Sequence, residues 1–124
     1  MKLQDSLYSI IEEIKNDAEH CYTIKFDAEH FIYKAHFPGE PITPGVCIMQ
    51  IAQELLERHL GRELVIDNVK NIKFLRIITP NETPIVDYTL HRISCEEAVV
   101  KAQVTVSANN ETFAKLSLVC RICA

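Results

Sequence analysis

His36-Phe37-Pro38-Gly39-Glu40-Pro41-Ile42-Thr43-Pro44-Gly45 is the stretch on which the reading of this chain turns. Of the three glycines and five prolines in the sequence, Gly39, Gly45, Pro38, Pro41 and Pro44 all fall inside it. Proline removes a backbone donor and fixes φ, so the segment can be neither regular helix nor central strand. It is a stiffened, shaped loop. A helix follows at once, from Val46 to Leu60, with Gly61 just beyond. Thr43 suits the capping position, Pro44 the first helical position and Gly61 the position past the end. Val46, Ile48, Met49, Ile51 and Ala52 make the first two turns apolar nearly all round, which predicts a buried helix start. Glu57, Arg58 and His59 bring polarity only near its end.

Beyond the helix the pattern changes to β. Residues 65–78 are rich in β-branched side chains, and Pro80-Asn81-Glu82-Thr83-Pro84 makes a corner. Strands are predicted over 85–93, 98–107 and 112–122, with Val100, Ala102, Val104 and Val106 sharing one face. Asn109-Asn110 reads as a hairpin turn. Cys21 to Phe26 reads as a strand, preceded by a turn at Asn16-Asp17. Ahead of it Leu3, Leu7, Ile10 and Ile14 fit helical spacing, so periodicity predicts an N-terminal helix. Strand following strand implies an antiparallel sheet, hence an α+β domain over residues 1–124 with one long buried helix.

The chain of 124 residues suits one domain, and 48% apolar residues suffice for a core. A net charge of -4 argues against nucleic acid as the main partner. Five cysteines at irregular spacing read as free thiols of a reducing cytoplasm. Cys120-Arg121-Ile122-Cys123 has the C-x-x-C spacing but lacks a second pair or a strand-to-helix setting, so two thiols on a terminal strand is the plainer reading. No signal peptide and no run of about 20 apolar residues occurs, so no membrane association is expected. No metal-ligand cluster, phosphate loop or serine-nucleophile motif is present; no cofactor and no metal are expected.

His-Phe-Pro-Gly-x-Pro-x-x-Pro-Gly-Val followed by an apolar helix resembles the 3-hydroxyacyl-acyl-carrier-protein dehydratases of bacterial fatty acid synthesis. The similarity runs over about residues 20–122. It includes Asn71 to Pro80, which resembles that family's strand ending in a Pro-Gly-Asp corner, here Pro80-Asn81-Glu82. Asn110 to Leu118 resembles its last hairpin. The resemblance implies a hot-dog fold, a curled antiparallel sheet wrapped round a central helix. It also implies a dimer with sites at the subunit interface, and an acyl carrier protein or CoA thioester as substrate. A homodimer is expected, with a trimer of dimers or a heterodimer with a related subunit as alternatives. It further turns the N-terminal segment into a strand, against the periodicity.

Dehydrating a 3-hydroxyacyl thioester needs a base for the α-proton, an acid for the departing hydroxyl, and donors for the thioester oxygen. His36 is the candidate base. The N–H of Gly45 or Val46 at the helix start is the candidate oxygen donor. Phe37, Pro38 and Gly39 complete the loop, and Val46, Ile48, Met49, Phe74 and Ile78 could line an acyl tunnel or simply be core. The plainer reading of His36 is a turn or core histidine. Fourteen residues after the histidine the family places Glu or Asp; this chain has Gln50, and an amide neither gives nor takes a proton in ordinary acid–base chemistry. Four residues on, where the family commonly has Gln, stands Glu54, on the same helix face. Glu54 is a candidate acid, directly or through a water oriented by Gln50. The favoured alternative is that it only hydrogen-bonds Gln50 or sits at the interface. Lys70, Lys73 and Arg76 could meet an acidic carrier protein or be solvated charges, with Lys73 pointing away from the other two. The leading expectation is a (3R)-hydroxyacyl-carrier-protein dehydratase of fatty acid, polyene or lipid synthesis. The alternatives are a weak or inactive subunit partnering an active relative, and a hot-dog thioesterase.

Overall fold

The computed structural model describes residues 2–16 and 18–123. The order is β1 (Tyr8–Lys15), β2 (Glu19–Phe26), α1 (Ile32–Ala35), α2 (Gly45–Leu60), β3 (Leu64–Phe74), β4 (Ile85–Glu96), β5 (Val99–Ala108) and β6 (Glu111–Ile122). The six strands form one sheet in the order β1-β2-β4-β5-β6-β3, antiparallel at every pairing. Period-2 alternation places Val100, Ala102, Val104 and Val106 inward, where each is buried, as are Ala114, Leu116, Leu118 and Cys120 of the neighbouring strand. Against this face lies α2, contributing Ile48, Ile51, Ala52, Leu55 and Leu56 to the same cluster. A curled sheet round a central helix is the hot-dog architecture.

The helix stops where the sequence predicts. Gly61 takes φ 67°, and its N–H donates to the Glu57 carbonyl at 2.8 Å, the left-handed cap that glycine adopts without strain. Asn109 and Asn110 both take positive φ between β5 and β6, as a two-residue hairpin requires. In the turn before β2, the Asn16 carboxamide accepts from the N–H groups of Ala18 and Glu19; Asp17 lies outside the described residues. All five cysteines are free thiols. No helix among the described residues is long and apolar enough to cross a membrane.

Four expectations are corrected. The N-terminal helix is a strand: after a turn over residues 3–7, β1 runs antiparallel to β2. Leu3 and Leu7 are buried in that turn, but Ile14 is half-exposed, so the helical spacing marks no common face. The third β segment ends at Phe74, not Ile78; Leu75 and Arg76 instead donate to the Phe113 carbonyl while their side chains stay exposed. Thr43 does not cap α2: its hydroxyl is bonded to the Tyr33 hydroxyl at 2.9 Å, and Pro44 holds the cap position without a side-chain bond. The helix start is not buried all round either, since Val46 is 66% exposed.

Candidate active site

The His36 loop is closed by its own backbone. Phe37 and Glu40 exchange hydrogen bonds, each 3.0 Å, across Pro38-Gly39. Gly39 takes φ 80°, so proline and glycine stand where a type II turn wants them. The Ile42 N–H donates to the His36 carbonyl at 3.0 Å and the His36 N–H to Ile32 at 3.0 Å. Thr43 is fixed twice, through its N–H to the Ile78 carbonyl at 2.8 Å and through its hydroxyl to buried Tyr33. His36 is half-buried, its ring stacked on Phe37 with centroids 4.2 Å apart. The backbone bonds therefore fix the main chain at His36, and Phe37 stacks on its ring.

The start of α2 is set by the sheet. The buried Tyr88 hydroxyl donates to the Ile48 carbonyl at 3.1 Å, which fixes the depth of the first turn. Cys47 and Ile48 donate to the Pro44 carbonyl. Among the described residues the N–H groups of Gly45 and Val46 have no acceptor. With Thr43 taken by Tyr33, these two donors and the positive helix end stay open to a ligand. Gly45 lines a cleft of about 260 Å³ together with Ile42, Ile48, Phe74, Arg76, Ile77 and Ile78. The Phe74 ring covers Gly45 so closely that an added methyl there would sit 3.0 Å from Cζ. Of the tunnel candidates, Ile48, Phe74 and Ile78 line this cleft, Met49 rests partly buried on the core, and Val46 faces outward.

Gln50 and Glu54 lie elsewhere. They line a separate cleft of about 320 Å³ with Lys2, Gln53 and Glu57, and the two clefts share no residue. The structure joins His36 to the Gly45 cleft through Ile42 but does not bring Gln50 or Glu54 to it. Glu54 is 6% exposed. Among the described residues four donors converge on its carboxylate: the Leu3 N–H at 2.7 Å, the Gln4 N–H at 2.9 Å, the Tyr8 hydroxyl at 2.9 Å and the Gln50 amide at 3.0 Å. Burial, then the Glu54 carboxylate, hold the Tyr8 phenol above its ordinary range, which keeps it a donor. Sequence spacing reveals Gln50–Glu54 but not Tyr8, which sits 46 residues from Glu54.

Several other polar side chains, His30 and His20 upstream of the motif and Arg76 among them, have structural partners. His30 accepts the Ile32 N–H on Nδ1 and contacts Ser6 through Nε2. His20 bonds Glu13 and lies against His59. Arg76 pairs with Glu111 at 3.1 Å. Lys73 does not point away from Lys70 as simple alternation predicts: the bulge between them shifts the register, so Lys70 stands opposite Ser117 and Lys73 opposite Lys115, on one face of the sheet.

Residues 12–116 match the family model described as ApeI-like, ApeI dehydratase. The chain is 30% identical over 95 residues to the 3-hydroxyacyl-[acyl-carrier-protein] dehydratase FabZ of Latilactobacillus sakei, covering 71% of this chain and 68% of that protein. It is 27% identical to FabZ of Ligilactobacillus salivarius, covering 94% and 86%. Among solved structures, the dehydratase heterocomplex ApeI:P of Xenorhabdus doucetiae superposes with a TM-score of 0.65 at 16% identity, over 93% of this chain and 96% of that one. A hypothetical thioesterase of Streptococcus pneumoniae with coenzyme A gives 0.66 at 11% identity, over 94% and 86%; these two likenesses show the fold. The loop, the open helix start and the family match agree, and the chain belongs to the 3-hydroxyacyl-[acyl-carrier-protein] dehydratase family, with the ApeI-like model as its match.

Proposed function

We propose that this protein dehydrates (3R)-hydroxyacyl groups held as thioesters on acyl carrier protein or CoA, in fatty acid, polyene or lipid biosynthesis. The observation that carries this reading is the open start of α2. Among the described residues the N–H groups of Gly45 and Val46 at the positive helix end have no acceptor, Gly45 lines a largely apolar cleft, and Ile42 ties the His36 loop to that cleft. The donors hold the thioester oxygen as negative charge develops on it. His36 takes the α-proton, the C–O bond to the 3-hydroxyl breaks as the double bond forms, and the imidazolium returns the same proton to the departing hydroxyl as water. This single-base route needs no carboxylic acid and suits Gln50, whose amide can orient the hydroxyl but not protonate it. Glu54 then acts as a positioning residue for Gln50.

A second copy of the chain completes the site in this reading, Gln50 of one subunit meeting the His36 cleft of the other. Supporting it are the separation of the two clefts within one chain and the exposed apolar side chains Phe31, Phe37, Val46, Phe74 and Ile77 around the helix start. An alternative rests on Gln50 itself: without an acid, the chain serves as the weak or inactive subunit beside an active relative.

The test uses the purified chain alone with 3-hydroxybutyryl- and crotonyl-carrier protein, following enoyl absorbance and free thiol. Interconversion supports the lyase, thiol release a thioesterase, and silence the partner role. Gln50→Glu is the companion. The new carboxyl would stand beside the Glu54 carboxylate, whose like charge favours its protonated form; it would then donate where the amide does now and be available as an acid. We expect it to raise the lyase rate.

Gly45→Ala tests the oxygen donors. Its methyl pushes on the half-exposed Phe74 ring and narrows the approach to the helix N–H groups. We expect kcat/KM to fall about tenfold or more, with little change in unfolding midpoint. Unaltered kinetics would remove Gly45 from the site.

A further inference from the structure

A third concavity, distinct from the two clefts described above, lies on the face of the sheet turned away from α2. It holds about 330 Å³ and is lined by Asn71, Lys73, His91, Gln103, Lys115 and Ser117 among others. Two β-bulges border it, one between Lys70 and Lys73 with Asn71 at φ 52°, the other between His91 and Ser94 with Arg92 at φ 51°. Bulges bend and twist strands locally, and here they make a hollow in an otherwise regular face.

The register fixes what faces the hollow. Lys73 stands directly opposite Lys115, Thr105 opposite Lys115, Gln103 opposite Ser117, and His91 opposite Gln103. His91 is bonded to the Thr105 hydroxyl at 3.2 Å. Lys70, opposite Ser117, adds a third positive charge at the border. Like charges placed directly across strands destabilise a sheet. Among the described residues no carboxylate lines the cleft, and neither Lys73 nor Lys115 has an ion-pair partner. The chain as a whole is acidic, with net charge -4, so this is a local reversal of sign with neutral hydrogen-bonding groups arranged around it.

We propose that this cleft binds a phosphate monoester dianion. Lys73 and Lys115 supply the charge, and Asn71, Gln103 and Ser117 supply neutral donors. A dianion between the two lysines removes their repulsion, and the hollow is of a size for a small phosphorylated group. The site is on the opposite face of the sheet from the Gly45 cleft and does not depend on the reading of that cleft. The same chemistry could come from a soluble phosphate ester or from the headgroup of a phospholipid.

The test uses the full chain at constant ionic strength, with sodium chloride as the balancing salt. Inorganic phosphate and glycerol 3-phosphate are titrated while the His91 ring resonances and the thermal midpoint are followed. Vesicles of phosphatidylcholine with and without phosphatidic acid are sedimented with the protein in parallel. We expect a saturable shift at His91 and a raised midpoint with either soluble phosphate. Lys73→Gln and Lys115→Gln should each weaken binding about tenfold or more, because each removes a charge-assisted hydrogen bond. Each should also melt higher than the wild type in chloride alone, where the repulsion is uncompensated. Co-sedimentation confined to phosphatidic-acid vesicles assigns the headgroup; soluble binding without it assigns a free ester. A response no different from chloride, or one that both lysine variants retain in full, overturns the proposal.

Discussion

Replacing His36 with alanine is expected to cut turnover of a 3-hydroxyacyl thioester by about 10²–10⁴-fold, the usual worth of a positioned general base. Folding should be spared. The loop is closed by backbone bonds to Ile32 and Ile42, and the ring's recorded contact is the stack on Phe37. The measurement is kcat/KM for hydration of a crotonyl thioester, beside an unfolding curve of the same preparation. Loss of rate with a wild-type curve identifies chemistry. Equal loss of both would return His36 to a structural role. The single-base route adds a sharper expectation. His36→Ala should remove activity from the Gln50→Glu variant as completely as from the parent, because the acid cannot act until the α-proton has been taken.

Truncating Glu54 should act on stability instead. Its carboxylate receives two backbone N–H groups, a phenol and an amide in a site 6% exposed. Hydrogen bonds to charged groups contribute about 1.5–3 kcal/mol each, and stranding buried partners costs more than the lost bond. Glu54→Ala is therefore expected to lower unfolding free energy by about 3–5 kcal/mol, a large share of the 5–15 kcal/mol typical of a domain. Glu54→Gln should recover little, since its amide nitrogen meets donors where the carboxylate met them. Tyr8→Phe removes one bond and should cost about 1–2 kcal/mol. Urea unfolding midpoints check the series. A Glu54→Ala protein as stable as the parent would mean that these bonds are not formed in solution. The series also bears on catalysis: lost activity in a Glu54 variant says nothing about proton transfer until its fold has been measured.

The parts of the fold that local chemistry dictates were legible in the sequence. Pro44 and Gly61 bracket α2, Asn109-Asn110 mark the last hairpin, and the alternation of Val100 to Val106 gives the inner face of β5. The loop around His36 was legible because prolines and glycines leave few conformations. What escaped depends on distant partners. The N-terminal spacing of Leu3, Leu7, Ile10 and Ile14 is helical by arithmetic. Residues 3–8 are instead fastened to a carboxylate some 50 residues away, and β1 is then laid beside β2. Thr43 has the right side chain for a cap, but Tyr33 claims it. Val46 looks like core by type and faces outward by geometry. At the candidate site, the exchange of carboxylate and amide between positions 50 and 54 was visible. That Glu54 is enclosed by the N-terminal turn was not, since no periodicity links Tyr8 to the helix.

The two ends of the sheet are unlike, and this bears on how large an assembly can grow. Strand β3 is an edge of 11 residues with Val65 and Phe74 half-exposed, shifted between Ile66 and Asn68 and between Lys70 and Lys73, and carrying Asp67, Lys70 and Lys73. Strand β1 is an edge of eight, broken by a bulge between Ile10 and Glu12 and carrying Glu12, Glu13 and Lys15. Charge and bulges, which both edges carry, discourage edge-to-edge pairing; what sets β3 apart is its greater length and its exposed apolar side chains. If two copies join through β3, the contact is isologous and consumes both of the longer edges. Only the short β1 edges then face outward, and their bulge and charges oppose extending the sheet beyond two subunits into a filament.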